Sequence, residues 1–287
     1  MYEKSLAAVI YVMQMEFAML KVVVAGAAGR MGLRIINVLS TSEGLRLSAA
    51  VERRGHPLLG QDVNNLAGLP SREKSITITD DLVASLKDGD VLIDFTFPEA
   101  TLNHVKACSN LGKPAVIGTT GFSKEQTEQM RQYAQTVPVM ISPNMSIGVN
   151  LCFKILSEIA KTVGDDYDME IIEAHHHLKK DAPSGTAMKM AQIIAQAVNR
   201  NIDEVGIYTR KGLIGERTKK EIGIQTLRAG DIVGEHTVMF AGIGERIEIT
   251  HRAHSRDTFA AGAVRAAKWI VSAKPGIYDM QDVLGLK

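Results

Sequence analysis

At 287 residues, 45% hydrophobic and 23% charged, the chain has room for one large domain or two ordinary ones and enough apolar content for a sizeable core. A net charge of +1 argues against a broad electrostatic surface for nucleic acid or membrane, and no apolar run has the length to span a bilayer. The two cysteines, Cys108 and Cys152, stand far apart and give no disulfide framework, which points to a reducing, cytoplasmic setting. Residues 1–19 precede the first strand pattern and hold a short apolar run, Leu6 to Met13, behind a single lysine. No small-residue cleavage site follows that run, which argues against a signal peptide. The segment is expected to be an extension outside the fold. It is either a start set too early, with Met15 or Met19 as the natural one, or a flexible or partner-packing arm.

LKVVVAGAAGRMGLRIINVL (20–39) reads as a strand, a glycine turn and a helix, with Met31, Ile35, Val38 and Leu39 on one helical face. Gly26, Gly29 and Gly32 form G-x-x-G-x-x-G, a relative of the dinucleotide-binding fingerprint in its strand-to-helix context. Glycines there allow the tight turn and the approach of a pyrophosphate to the helix N-terminus. The next strand pattern, within residues 45–55, ends at Glu52, where a carboxylate would meet the adenosine ribose. Arg53 follows, and its guanidinium suits a 2′-phosphate, so the pair admits both NAD(H) and NADP(H).

Short apolar runs at 76–79, 91–95, 114–118 and 137–142 alternate with helical patterns, the signature of a parallel sheet covered on both faces. Ligands of such sheets sit beyond the carboxyl ends of the strands, which marks Gly118, Thr119 and Thr120 and the loop that begins at Ser142. Ser123 and Gln126 have capping-box spacing for the helix that follows.

Beyond residue 146 the pattern changes. A long helix (148–163) leads into a strand (168–174), and a second helix runs from 184 to about 198 with Ala187, Ala191, Ile194 and Val198 on one face. Strand patterns at 205–210, 221–227, 232–241 and 245–253 follow without intervening helices and predict a mostly antiparallel or mixed sheet, hence an α+β second domain. A last helix over 255–271, with Ser255 as N-cap, is expected to return to the first domain. The expected division is an α/β Rossmann-type dinucleotide-binding domain over 20–146 and 256–287, with a substrate and oligomerisation domain over 147–255.

EIIEAHHHLKKDAPSGTA (170–187) is the segment richest in chemistry. Three histidines and two lysines precede a Pro-Ser-Gly-Thr turn that opens a helix, whose free N–H groups and partial positive charge suit a carboxylate. Imidazole and ammonium beside it can bind a second anionic group or deliver a proton. The pattern fits a small, doubly anionic substrate that gains a proton. A metal is not expected: adjacent histidines on a strand point to opposite faces, and the cysteines lie far away.

GAAGRMG, ERRG, DFTFPEATLNH, GTTGF, EIIEAHHHLKKDAPSGTA and RAGDIVGEHTVMF together resemble the dihydrodipicolinate (4-hydroxy-tetrahydrodipicolinate) reductase family from about Leu20 to Leu286. The resemblance implies NADH- or NADPH-dependent reduction of a cyclic imine dicarboxylate, with loss of water, in lysine biosynthesis through diaminopimelate. It implies His175 and Lys179 as catalytic residues, and His176, Ser184, Gly185 and Thr186 as holders of the substrate carboxylates. Gly26, Ala27, Ala28, Gly29, Arg30 and Met31 correspond to the pyrophosphate loop, and Glu52 and Arg53 to the adenosine ribose. Gly118, Thr119, Thr120, Ser142, Pro143, Asn144 and Met145 correspond to the nicotinamide side, and the family is usually a homotetramer. His177 and Leu178 lie where the family pattern varies, and Met145 stands where an aromatic residue is common. Two other readings stay open on sequence: another two-domain NAD(P)-dependent amino-acid dehydrogenase, or a non-catalytic dinucleotide sensor.

Overall fold

The computed structural model describes residues 19–70 and 75–287, so the expected N-terminal extension lies, Met19 apart, outside the described residues. In chain order the elements are β1 (Leu20–Ala25), α1 (Arg30–Ser40), β2 (Leu45–Val51), α2 (Val63–Ala67), β3 (Ile78–Thr79), α3 (Leu82–Asp88), β4 (Val91–Asp94), α4 (Pro98–Leu111), β5 (Ala115–Ile117), α5 (Lys124–Tyr133) and β6 (Pro138–Ile141). They continue with α6 (Ile147–Val163), β7 (Asp168–His175), α7 (Gly185–Ala197), α8 (Ile202–Val205), β8 (Gly206–Ile207), β9 (Ile222–Arg228), β10 (Gly234–Ala241) and β11 (Arg246–Ala253). The last are α9 (Asp257–Ile270), β12 (Gly276–Tyr278) and α10 (Met280–Leu284). No helix among the described residues is long and apolar enough to cross a membrane.

The chain folds as two compact units, one ending at Met145 and resuming over Phe259–Gly285, the other spanning Ser146–Thr258. The first unit is a seven-stranded sheet in the order β12-β6-β5-β4-β1-β2-β3 with every pairing parallel. Its strands are apolar on both faces because both are covered. Val22 and Val24 enter one layer with Ile35, Leu39, Ala263 and Ile270, whereas Val23 and Ala25 enter the other with Leu86, Val105 and Met130. Strand order reverses at β1, which lies between β2 and β4, and that is where open α/β sheets bind ligands. The expected capping box closes α5, with Ser123 Oγ accepting from the Gln126 N–H.

The second unit is a five-stranded mixed sheet, β11-β10-β7-β9-β8, in which β10 is antiparallel to β7 and β11 while β7, β9 and β8 run parallel. Helices α6 and α7 cover one face, their Val149, Phe153, Leu156, Met190 and Ile194 packing on Met169, Ile171, Ile224, Val238 and Phe240. The other face carries an ion-pair cluster, where Arg210 and Arg217 both pair with Glu170, beside the exposed Leu227. The fold class is therefore the one the sequence indicates: a Rossmann-type parallel sheet and an α+β unit with a mixed sheet.

One expected strand differs. Residues 205–210 give only the two residues of β8, after the single turn of α8 capped by the Asn201 side chain. Arg210 leaves the sheet ladder and spends its guanidinium on Glu170 and Glu221 instead. That ion-pair network outweighs the apolar alternation of a short edge strand.

Candidate active site

In the first unit the turn after β1 is shaped by missing side chains. Gly26 has φ +73°, and a Cβ on it would lie 2.8 Å from the Phe95 carbonyl oxygen. A Cβ on Gly32 would overlap the Gly26 carbonyl oxygen and the Ala27 backbone. Only glycine lets α1 start this close to the end of β1. Gly29 caps α1 without a side-chain hydrogen bond, and Gly29 and Arg30 are exposed, so the helix opens on free backbone donors. Ala27 is fully buried with its N–H given to the Val51 carbonyl, and Met31 packs against the core, which leaves its backbone as what it offers a ligand.

Glu52 ends the neighbouring strand and accepts from the Ala28 N–H at 3.0 Å, tying the turn to β2. Arg53 is exposed beside it. A cradle without Cβ atoms, an open helix N-terminus and an acid at the end of the second strand fit a dinucleotide.

The rim continues on β4 and β5. Asp94, fully buried at the end of β4, accepts from His104 Nδ1 at 2.7 Å, from the Thr96 N–H and hydroxyl, and from Thr101 Oγ1. Thr101 Oγ1 also lies 2.8 Å from Thr119 Oγ1, so this network fixes the loop after β5. Gly118 lies flat against the Phe95 ring, where any Cβ would overlap it, and Thr120 is exposed. Ser142 Oγ donates to the Asn144 carbonyl at 2.7 Å and closes the loop after β6, with Pro143 exposed. Met145 is only 2% exposed and packs in the core, its carbonyl against Gly262, so its side chain is not available to a ligand.

In the second unit the site grows from alternation along β7. Glu173 and His175, two apart, face the same side. The Glu173 carboxylate is fully buried. Its Oε2 meets His175 Nδ1 at 2.6 Å and Arg228 Nη1 at 2.8 Å. Its Oε1 accepts from Arg228 Nη2 at 3.0 Å, from the Ser184 N–H at 2.9 Å and from Thr226 Oγ1 at 3.2 Å. Register explains this convergence: β9 sets Thr226 beside Glu173 and Arg228 beside His175, and β10 sets His236 across from Glu173.

His236 meets the His175 ring edge-on at 5.2 Å between centroids, and its Nε2 lies 2.9 Å from Ser184 Oγ. Ser184 is the N-cap of α7, accepting from the Ala187 N–H, and Gly185 is exposed with open space beside it. Thr186 follows, half-buried.

The segment between β7 and α7 is held by backbone. His176 N–H donates to Ile232 O, His177 N–H to Gly230 O and Lys179 N–H to His176 O. His176 Nδ1 is buried without a hydrogen-bond partner among the described residues, whereas His177 is exposed with Nδ1 2.8 Å from Gly230 O. Leu178 points outward at 73% exposure. Lys179 Nζ donates to both oxygens of Asp181 at 2.8 Å, and Arg228 Nη2 donates to the Asp181 carbonyl at 2.7 Å.

Electrostatics follow from this packing. Burial pushes the Glu173 carboxyl up, but Arg228, His175 and the Ser184 N–H outweigh it and hold the group below the ordinary carboxylate range. Burial holds His175 below the usual histidine value, with Lys179 and Arg228 adding to the effect and Glu173 opposing it. His236 is pushed down to about 4, by burial first and then by the positive charge of His175, so it is neutral at pH 7. The Lys179 hydrogen bond holds Asp181 low.

Sequence reasoning singled out His175, His176, Lys179 and Ser184–Thr186, and the fold gathers His175, Lys179 and Ser184 around one network. It missed Glu173, Thr226, Arg228 and His236, the residues that build that network. The spacing of Glu173 and His175 on a strand was the available signal for the first of them.

Two family models cover the chain, "Dihydrodipicolinate reductase, N-terminus" over residues 20–145 and "Dihydrodipicolinate reductase, C-terminus" over residues 148–284. The 4-hydroxy-tetrahydrodipicolinate reductase of Syntrophus aciditrophicus (strain SB) is 57% identical over 269 residues, covering 94% of this chain and all of that protein. The same enzyme of Geotalea uraniireducens (strain Rf4) is 56% identical over the same shares. Among solved structures, dipicolinate-bound dihydrodipicolinate reductase from Paenisporosarcina sp. TG-14 superimposes with a TM-score of 0.69 at 23% identity, covering 92% of this chain and 98% of the other.

Proposed function

The chain belongs to the dihydrodipicolinate reductase family, and from that premise we propose how its own residues share the reaction. It is an NAD(P)H-dependent oxidoreductase that reduces 4-hydroxy-tetrahydrodipicolinate with loss of water, a step of lysine biosynthesis through diaminopimelate. The observation that carries the residue assignment is the meeting of His175, Lys179 and the N-terminus of α7 within one short segment of the second unit.

Lys179, His176 and the N-terminus of α7 at Gly185 and Thr186 bind the two carboxylates of the substrate, while Ser184, its N–H given to Glu173, caps that helix. A helix N-terminus favours one carboxylate, and the Lys179 ammonium, now satisfied by Asp181, exchanges that partner for the other. His175 and Lys179 hold and deliver the proton that the reduced substrate takes up. General acid catalysis of this kind contributes about 10²–10⁴-fold.

In the first unit, the turn Gly26–Met31 holds the pyrophosphate. Gly26 to Gly29 give the shape, their N–H groups being taken by Val51, Glu52 and Gly26, and Arg30 and Met31 at the start of α1 give the donors. Glu52 and Arg53 meet the adenosine ribose, one suited to its hydroxyls and the other to a 2′-phosphate. Gly118–Thr120 and Ser142–Asn144, with the Met145 backbone, line the nicotinamide side. The reduced nicotinamide supplies the hydride when bound.

Four copies assemble through the uncovered face of the second unit's sheet, where Leu227 is 54% exposed, and through the nearby apolar loop of Leu213 and Ile214. Light scattering that gives a monomer would contradict this assembly. The enzyme works in the cytoplasm, where its free thiols, Cys108 and Cys152, stay reduced.

The activity is tested by generating the imine in place from pyruvate and aspartate semialdehyde with its synthase, while following reduced-nicotinamide absorbance with NADH and NADPH in parallel. Imine-dependent oxidation is expected with both cofactors. Cofactor binding without imine-dependent oxidation would move the assignment to another dehydrogenase or to a sensor.

A further inference from the structure

We propose that Glu173 is a positioning residue for the reduction: it fixes His175 with the proton on Nδ1 and leaves Nε2 as the nitrogen that exchanges a proton with the substrate. This rests on the reading of His175 as an acid–base group. Three observations carry it. Glu173 has zero exposure and yet is ionised, so at 2.6 Å from His175 Nδ1 it can only accept, and Nδ1 must donate. Nε2 makes no hydrogen bond to any described residue. The neighbouring backbone there is Gly234, on which a Cβ would stand 3.1 Å from Nε2.

Arg228 makes this arrangement useful. An ionised carboxylate alone beside an imidazole would raise its affinity for the proton and bias it towards imidazolium. The bidentate guanidinium at 2.8 and 3.0 Å cancels the Glu173 charge, so the imidazole stays free to gain and lose a proton. Among the described residues, the titratable groups acting on His175 are Glu173 on its own strand, Arg228 on β9, His236 on β10 and Lys179 on the following segment. Through the Ser184 N–H the same carboxylate sets the start of α7, so one residue keeps the proton donor and the anion-binding turn in register.

The test uses Glu173→Gln in the full-length enzyme. The Oε1 position faces Arg228 Nη2, the Ser184 N–H and Thr226 Oγ1, all donors, so the amide oxygen takes that position. The amide NH₂ then replaces Oε2, losing the bond from Arg228 Nη1 and facing His175 Nδ1; of the two partners only the imidazole can become an acceptor, so its proton moves to Nε2. Turnover is expected to fall about 10²-fold with the KM for NADPH unchanged. ¹⁵N NMR of labelled histidine is expected to show the His175 proton on Nδ1 in the native enzyme and on Nε2 in the variant.

His175→Gln and the double variant separate this proposal from the reading beneath it. If His175→Gln keeps its turnover, the acid–base reading of His175 fails. If His175→Gln is inactive while Glu173→Gln retains turnover, the positioning role fails. Turnover losses that multiply in the double variant, with an unmoved histidine proton, reduce Glu173 to a structural role and overturn the proposal. The native-enzyme spectrum decides even where Glu173→Gln does not fold, since a proton on Nε2 contradicts the account outright.

Discussion

The rim of the first unit and the end of β7 in the second are the two proposed ligand sites, and they are built in opposite ways. Around Gly26–Gly32 the site is backbone: its shape comes from side chains that are missing, and its donors are the open N–H groups of α1. Around His175 the site is side chain: one buried carboxylate gathers a histidine, an arginine, a threonine and a helix N-cap. A backbone cradle binds a phosphate of any bearer and tolerates change in its flanking side chains. A buried ionic network demands every member, because removing one leaves an uncompensated charge.

The contrast predicts effects of different kind and size. Lys179→Ala should lower turnover at least about 10²–10⁴-fold while cofactor affinity survives, read by steady-state kinetics beside a fluorescence titration. Near-normal turnover would remove Lys179 from the chemistry. Next, Arg228→Met leaves Glu173 buried without its counter-charge and should cost about 3–5 kcal/mol in urea unfolding. Adding Glu173→Gln should recover part of that loss, since the orphan charge is then gone. A stability equal to the native enzyme's would mean that the network carries little energy.

The third effect is smaller and depends on pH. His236 is neutral in the folded state down to about 4, but takes up a proton near pH 6.5 when unfolded. Between these values the unfolded chain binds the extra proton, so stability falls as pH drops from about 6.5 to 4 and levels off below. The loss from this residue is on the order of 3 kcal/mol at most. Denaturation midpoints across that window should slope less for His236→Gln, and an unchanged slope would assign the acid sensitivity elsewhere.

The two regions also differ in how much the sequence reveals. Gly26 and Gly32 are legible because a steric requirement of the backbone fixes residue type at fixed spacing within a strand-to-helix context. His175 and Lys179 are legible from local density of chemistry, and the parallel sheet from its continuous apolar runs. Arg228 and His236 are not, since Arg228 lies 55 residues from Glu173 and His236 52 from Ser184. They reach the site only through the parallel β7–β9 and antiparallel β7–β10 registers, which no local pattern specifies. Arg210 shows the converse, where alternation predicts a strand and ion pairs with Glu170 and Glu221 draw the residue away.

The division between a backbone-built cofactor site and a side-chain-built substrate site is tested most directly by NADPH titration of two variants. Gly32→Ala drives a Cβ into the Gly26 carbonyl and should weaken NADPH binding at least about fivefold, as overpacking of about 1–3 kcal/mol implies. Lys179→Ala should leave NADPH affinity at the native value. Native affinity in Gly32→Ala, or a comparable loss in Lys179→Ala, would contradict the account.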